Sequence, residues 1–146
     1  MLFRTRLAFL FLSLMFLFGA CGGRDPNWKE THPVTGEVYV DGAPAAMLLV
    51  NCTDLAGIDT EQPTLSKAYT DDAGKFEIST YETGDGMPEG EYVLTFMWGK
   101  FDAISRGYSG PDKLNDKYLD PKKSEHKFTV EKGKPTDLGR IELTTK

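Results

Sequence analysis

Two hydrophobic patterns divide the chain. Leu7 to Phe18 is a run of 12 residues in which only Ser13 is polar. A bilayer core takes about 20 apolar residues to cross, so this run is short for a span. With Arg4 and Arg6 ahead of it, it fits the apolar region of an export signal. From Val34 the period changes to two. Val34, Gly36, Val38 and Val40 alternate with Thr35, Glu37 and Tyr39, which predicts a half-buried strand.

The same reading continues to the end of the chain. Asp41-Gly42 signals a tight turn, and Pro44 blocks pairing directly after it. Met47 to Thr53 is too apolar for a strand with one wet face and is expected near the middle of a sheet. Residues 54–66 carry Gly57, Asp59 and Pro63 without a period and read as a loop. Lys67 to Thr70 and Lys75 to Tyr81 are strands joined by the turn Asp71–Gly74. Glu91 to Trp98 is the strongest strand, with Tyr92, Leu94, Phe96 and Trp98 on one face. Residues 99–124 form a long polar excursion, expected to be ordered but exposed, with a helical turn near Asp112–Lys117. Glu125 to Glu131 and Thr136 to Thr144 complete the set. Seven strands and no helix predict an all-β domain, a seven-stranded antiparallel β-sandwich over residues 34–146.

Gly19 and Ala20 are small and Cys21 follows at once, an ending that resembles a bacterial lipobox. The resemblance implies cleavage after residue 20, with residues 1–20 as signal peptide and Cys21 as the lipid-modified residue. Residues 21–33 are then a lipid-anchored tether, with His32 solvated. Phe18 stands where the usual pattern has Leu. Gly22 after the Cys implies the outer membrane as destination. With Cys21 acylated, Cys52 is left without a disulfide partner, and its apolar run reads as core.

The order Val34-x-Gly36-x-Val38, Asp41-Gly42-x-Pro44, Thr70-Asp71-x-x-Gly74-x-Phe76, Gly90-x-Tyr92-x-Leu94 resembles the carboxypeptidase regulatory-like, or transthyretin-like, domains, with an immunoglobulin-like Greek key. Ser79-Thr80-Tyr81, Gly84-Asp85-Gly86 and Asp112-Lys113-Leu114 through Tyr118-x-Asp120-Pro121-Lys122-Lys123 are similar to small planctomycete lipoproteins built from one such domain. Gly36 is expected where a neighbour or a bulge comes close. The hydroxyl of Tyr92 is expected to bind nearby backbone, as in a tyrosine corner. In metallocarboxypeptidases the domain is an accessory to a catalytic domain, and this chain has no His-x-x-Glu motif. Transthyretin-like hydrolases of the urate pathway use several His and a Tyr-Arg-Gly-Ser-type tail. Here only His32 and His126 occur, and the chain ends Ile141-Glu-Leu-Thr-Thr-Lys. Starch-binding-like domains share the fold class, which leaves glycan binding open by analogy.

Charge sharpens the picture. The whole chain carries −5, and losing residues 1–20 removes Arg4 and Arg6 and no acid, giving −7. That balance argues against nucleic acid as partner. It is uneven: residues 21–98 hold four basic and fourteen acidic side chains, residues 99–146 eleven and eight. Two Cys and two His exclude a disulfide scaffold and a Cys/His zinc cluster. Asp71, Asp72 and Asp85, or Asp54, Asp59 and Glu61, match no calcium loop and read as turn residues. No cofactor is expected. A catalytic base would have to be His126 or His32, and His126, at a strand start between Glu125 and Lys127, is expected to be exposed. The chain is therefore expected not to be an enzyme.

The candidate partner-binding residues are Tyr108, Lys113, Tyr118, Lys122 and Lys123, in the long excursion. The expected function is an envelope lipoprotein, held to the membrane by lipid on Cys21, acting as a binding or structural module for an envelope protein or glycan. The alternative is a glycan-binding or transport-accessory lipoprotein.

Overall fold

The computed structural model describes residues 25–105 and 107–146. Residues 1–20, expected to be a signal peptide, and Cys21 lie outside the described residues. Among those described the fold is all-β, with no helix and several sheets, none closed. Ten strands take the place of the seven expected. They are β1 (Val34–Val40), β2 (Ala43–Pro44), β3 (Leu49–Asp54), β4 (Ser66–Tyr69), β5 (Lys75–Glu77), β6 (Gly90–Met97), β7 (Lys100–Asp102), β8 (Gly107–Ser109), β9 (Lys127–Val130) and β10 (Thr136–Leu143).

One four-stranded sheet runs in the order β4-β3-β6-β9, all antiparallel. Strand β3 is interior, as its apolar run requires, and pairs with β6 from Leu49↔Met97 to Asp54↔Tyr92. Strand β6 is buried on both faces from Tyr92 to Phe96, so alternation does not separate its sides. The other sheet is built on β1, whose burial alternates at every residue. On one side β1 pairs with β10; on the other its two halves pair with β5 and β2. Asp41 and Gly42 both have positive φ, 51° and 83°, the turn that joins twisted strands β1 and β2. Pro44 therefore does pair, at the end of a two-residue strand where its missing N–H costs nothing.

Strands β1 and β10 are parallel, which corrects the all-antiparallel expectation. Direction is set by the route: the chain reaches β10 only after building the second sheet, and a long crossover permits parallel pairing. The register slips between Thr35 and Glu37, where β10 carries an extra residue. Gly36 lies at that slip. A Cβ on it would stand 2.7 Å from the Phe76 ring, so glycine lets Phe76 lie flat over β1.

Both sheets contribute to one core. Val34, Val38, Phe76, Ile141 and Leu143 come from the β1 sheet, and Val50, Ala68, Tyr92, Leu94, Phe96 and Val130 from the β3 sheet. Leu48, Ile78, Met87 and Leu114 enter it from connecting segments.

Candidate functional site

The excursion after β6 begins with a short hairpin, β7–β8, that the sequence pattern did not reveal. It folds back on β4. Tyr69, Phe101 and Tyr108 form a cluster of three rings, with centroids 5.6–6.0 Å apart. The Tyr108 hydroxyl donates to the carbonyl of Met47, and burial pushes that phenol's pKa well above its ordinary value.

Residues 112–126 then run along the edge of β6 that β9 leaves uncovered. Asp112 Oδ1 accepts from Trp98 N–H at 2.8 Å and Leu114 N–H at 3.1 Å, and its Oδ2 accepts from Asp116 N–H at 3.0 Å. Lys113 N–H returns a bond to Trp98 O at 2.9 Å. Phe96 N–H donates to Tyr118 O at 3.0 Å and Leu94 N–H to His126 O at 2.9 Å. The Ser124 hydroxyl reaches Leu94 O at 2.6 Å. An open strand edge is a template for unwanted pairing; here the excursion caps it. Leu114 is fully buried and pins the segment into the core. The excursion is exposed over most of its described length, as expected, and Asp112 and Leu114 are buried within it.

The candidate residues separate into two sets. Tyr108 and Tyr118 are half-buried, and both hydroxyls serve the chain's own backbone. Tyr118 accepts from Thr144 N–H at 3.1 Å and packs edge-on to Phe96. Lys113, Lys122 and Lys123 are exposed. Lys113 Nζ stands 4.4 Å over the Trp98 ring, a cation–π contact, and Lys123 pairs loosely with Asp120 at 3.9 Å. A cleft of about 290 Å³ lies between Lys117, Tyr118, Lys123 and His126. His126 is half-buried against Phe96, and burial lowers its pKa.

The opposite end of β6 has its own cluster. Trp28 stacks on Tyr81 with centroids 4.7 Å apart and planes 4° from parallel. Lys29 N–H donates to Tyr81 Oη at 3.1 Å, and Lys29 Nζ pairs with Asp59 at 2.5 Å. That pairing, with N–H groups of Gln62 and Glu61, holds the Asp59 carboxyl down at about 2. His32, expected to be solvated, is buried; its Nδ1 accepts from Gly133 N–H at 3.2 Å, and its backbone pairs with Met87. Residues 28–33 are therefore packed on the domain. The only sequence signal for this was Trp28 itself.

Two sets of sequence motifs proved to be turn chemistry. Asp85 accepts from Thr80 N–H at 2.8 Å and Tyr81 N–H at 3.1 Å. Asp71 accepts from Ala73 N–H at 2.9 Å and Lys75 N–H at 2.8 Å. Tyr92 donates to Pro88 O at 3.0 Å, the expected corner bond, and burial pushes its pKa up to about 12. Cys52 packs against the core, and burial likewise pushes its thiol up to about 12.

No family model and no curated relative matches the chain. Solved structures with a similar course include (S)-allantoin synthase, 18% identical over 80% of this chain and 42% of that one, TM-score 0.41. A DUF3823 family protein from Parabacteroides merdae ATCC 43184 is 14% identical over 80% and 46%, TM-score 0.38. The dioxygenase domain of a dioxygenase carbohydrate-binding protein fusion from Streptomyces sp. SirexAA-E is 14% identical over 84% and 83%, TM-score 0.38. The chain spans under half the length of the first two. Likeness at this level assigns neither family nor activity. The expectation that the chain is not an enzyme does not stand: an all-β fold by itself excludes no activity, and structures of similar course include enzymes.

Proposed function

We propose that the chain is an envelope lipoprotein, anchored through Cys21, whose β domain is a binding module for an acidic partner in the envelope. Its domain is of the transthyretin-like, carboxypeptidase regulatory-like sandwich type. The shared core of the two main sheets and the Tyr92–Pro88 corner bond support that assignment. The outer membrane is the destination that Gly22 favours.

One observation carries the binding reading. The segment that bears Lys113, Lys122 and Lys123 is bonded along β6 by Asp112, Tyr118 and Ser124 and pinned by Leu114. The backbone that carries its lysines is fixed, so binding orders their side chains without also ordering the loop. Tyr108 and Tyr118 support this frame and do not form the contact. Charge complementarity then selects an acidic protein or an acidic glycan.

Intact mass spectrometry of protein from its own membranes, with cross-linking in intact cells, tests the proposal. An acylated Cys21 and recurrent cross-links from Lys113, Lys122 and Lys123 to one partner are expected. Changing all three lysines to Glu should abolish partner capture, with a fall of about 1 kcal/mol in stability from the lost Lys113–Trp98 contact. Retained partner capture by that variant overturns the reading. Retention on an acidic polysaccharide column would identify a glycan as the partner.

A further inference from the structure

The end of the domain at which the described chain begins carries exposed aliphatic side chains. Ile58 is 87% exposed, Leu65 65% and Leu55 46%, all within the loop joining β3 to β4. Beside them a cleft of about 330 Å³ runs from Cys52 to Leu65. We propose that this loop is the membrane-facing surface of the protein and that Ile58 and Leu65 enter the lipid interface. This rests on the reading that Cys21 is acylated.

The geometry comes from the packed start of the domain. Asp25 and Trp28 close a turn, with Trp28 N–H bonded to Asp25 O at 3.0 Å. Four Cα steps separate Asp25 from Cys21, at most about 14 Å of chain. Lys29, one residue past Trp28, is tied to Asp59 at 2.5 Å, and Asp59 adjoins Ile58. A lipid on Cys21 therefore holds the 54–66 loop close to the bilayer instead of letting the domain swing on a long tether.

The axis of β6 orients the rest. Leu55 N–H bonds Glu91 O at 2.9 Å at one end, and Lys113 N–H bonds Trp98 O at 2.9 Å at the other. Seven residues of strand put these ends about 24 Å apart. With the apolar loop on lipid, Lys113 and the β7–β8 hairpin point away from it, where a partner can reach them. The lysines of the membrane-facing end are paired: Lys29 with Asp59, Lys132 with Glu30 at 3.2 Å, and Lys134 with Glu131. Glu61, Glu89 and Glu91 are exposed at the same end, so anionic headgroups add no attraction and the contact rests on the aliphatic side chains.

Acylated protein in vesicles of phosphatidylethanolamine and phosphatidylglycerol tests this. Nitroxide labels are placed singly through Ile58→Cys and Ile104→Cys; Ile104, at the distal hairpin, is 97% exposed. Both labels are introduced in a Cys52→Ser background, because Cys52 is only partly buried and lines the cleft beside Ile58. The label at position 58 should lose most of its collisions with an aqueous nickel chelate and keep those with oxygen, at low and high salt alike. The label at position 104 should stay fully accessible to the chelate. Equal accessibility at both positions in protein shown by mass to be acylated overturns the proposal alone. Salt-sensitive protection at 104 in place of 58 means that the basic end faces lipid, and also overturns it. A mass without lipid on Cys21 overturns the anchoring reading beneath it.

Discussion

The rings of Trp28 and Tyr81 lie parallel, 4° apart in plane, with centroids 4.7 Å apart. This contact, with the Lys29–Asp59 pair beside it, turns a stretch that reads as tether into part of the folded domain. A stacked pair contributes about 0.5–1.5 kcal/mol beyond the area it buries. Trp28→Ala should therefore expose residues 28–31 to hydrogen exchange and proteolysis. Backbone amides of the β6 strand should keep their protection, as exchange mass spectrometry would show.

Removing the Tyr92 hydroxyl breaks its bond to Pro88 O. Tyr92→Phe should destabilise by about 1 kcal/mol, the net worth of one hydrogen bond, measured by urea unfolding.

The same residue predicts an alkaline limit. Burial, and then the nearby Asp54, raise the Tyr92 pKa from 10.0 to about 12, and burial alone raises Cys52 from 9.0 to about 12. The folded state holds these protons after the unfolded chain has released them. Stability from these groups is complete below about pH 9 and falls as pH rises toward 12. Tyr92→Phe should flatten the part of this fall above pH 10. An equal slope in wild type and variant would assign the loss to other groups.

Gly36, Gly74 and Gly86 are required by contact, and two of them make separate predictions. Gly36→Ala puts a Cβ 2.7 Å from the Phe76 ring and should cost about 1–3 kcal/mol through overpacking. Gly86→Ala is worse, with a Cβ 1.9 Å from the backbone oxygen of His32 at a φ of +81°. It should detach residues 31–33 or prevent folding, which thermal melts and exchange at His32 would separate. Gly133→Ala meets no atom within 4 Å and serves as the strain-only control at positive φ.

Within residues 112–126, stability and surface chemistry reside on different side chains. Leu114→Ala should cost about 2–5 kcal/mol as a core truncation. Lys122→Ala and Lys123→Ala, both exposed, should each change stability by less than about 0.5 kcal/mol. Thermal denaturation of the three variants measures the contrast.

Local pattern determined much of this protein. The alternation of β1 fixed its buried face, and the apolar run of β3 placed it inside a sheet. Gly36 and Tyr92 marked a close approach and a corner bond, because each answers a demand made by its near neighbours. Other features depended on residues far apart in the chain. Nothing local tells β10 to run parallel to β1, since strand direction follows from the path through the other sheet. Asp112 and Leu114 look like members of any polar loop until the bare edge of β6 is there to receive them. Tyr108 and Tyr118 can be read as contact rings or as packing until Met47 and Thr144 engage their hydroxyls. His32 looks solvated until Gly133, 101 residues later, comes within 3.2 Å. A single residue's periodicity records its own strand, whereas burial and edge protection are properties of pairs that only the folded chain brings together.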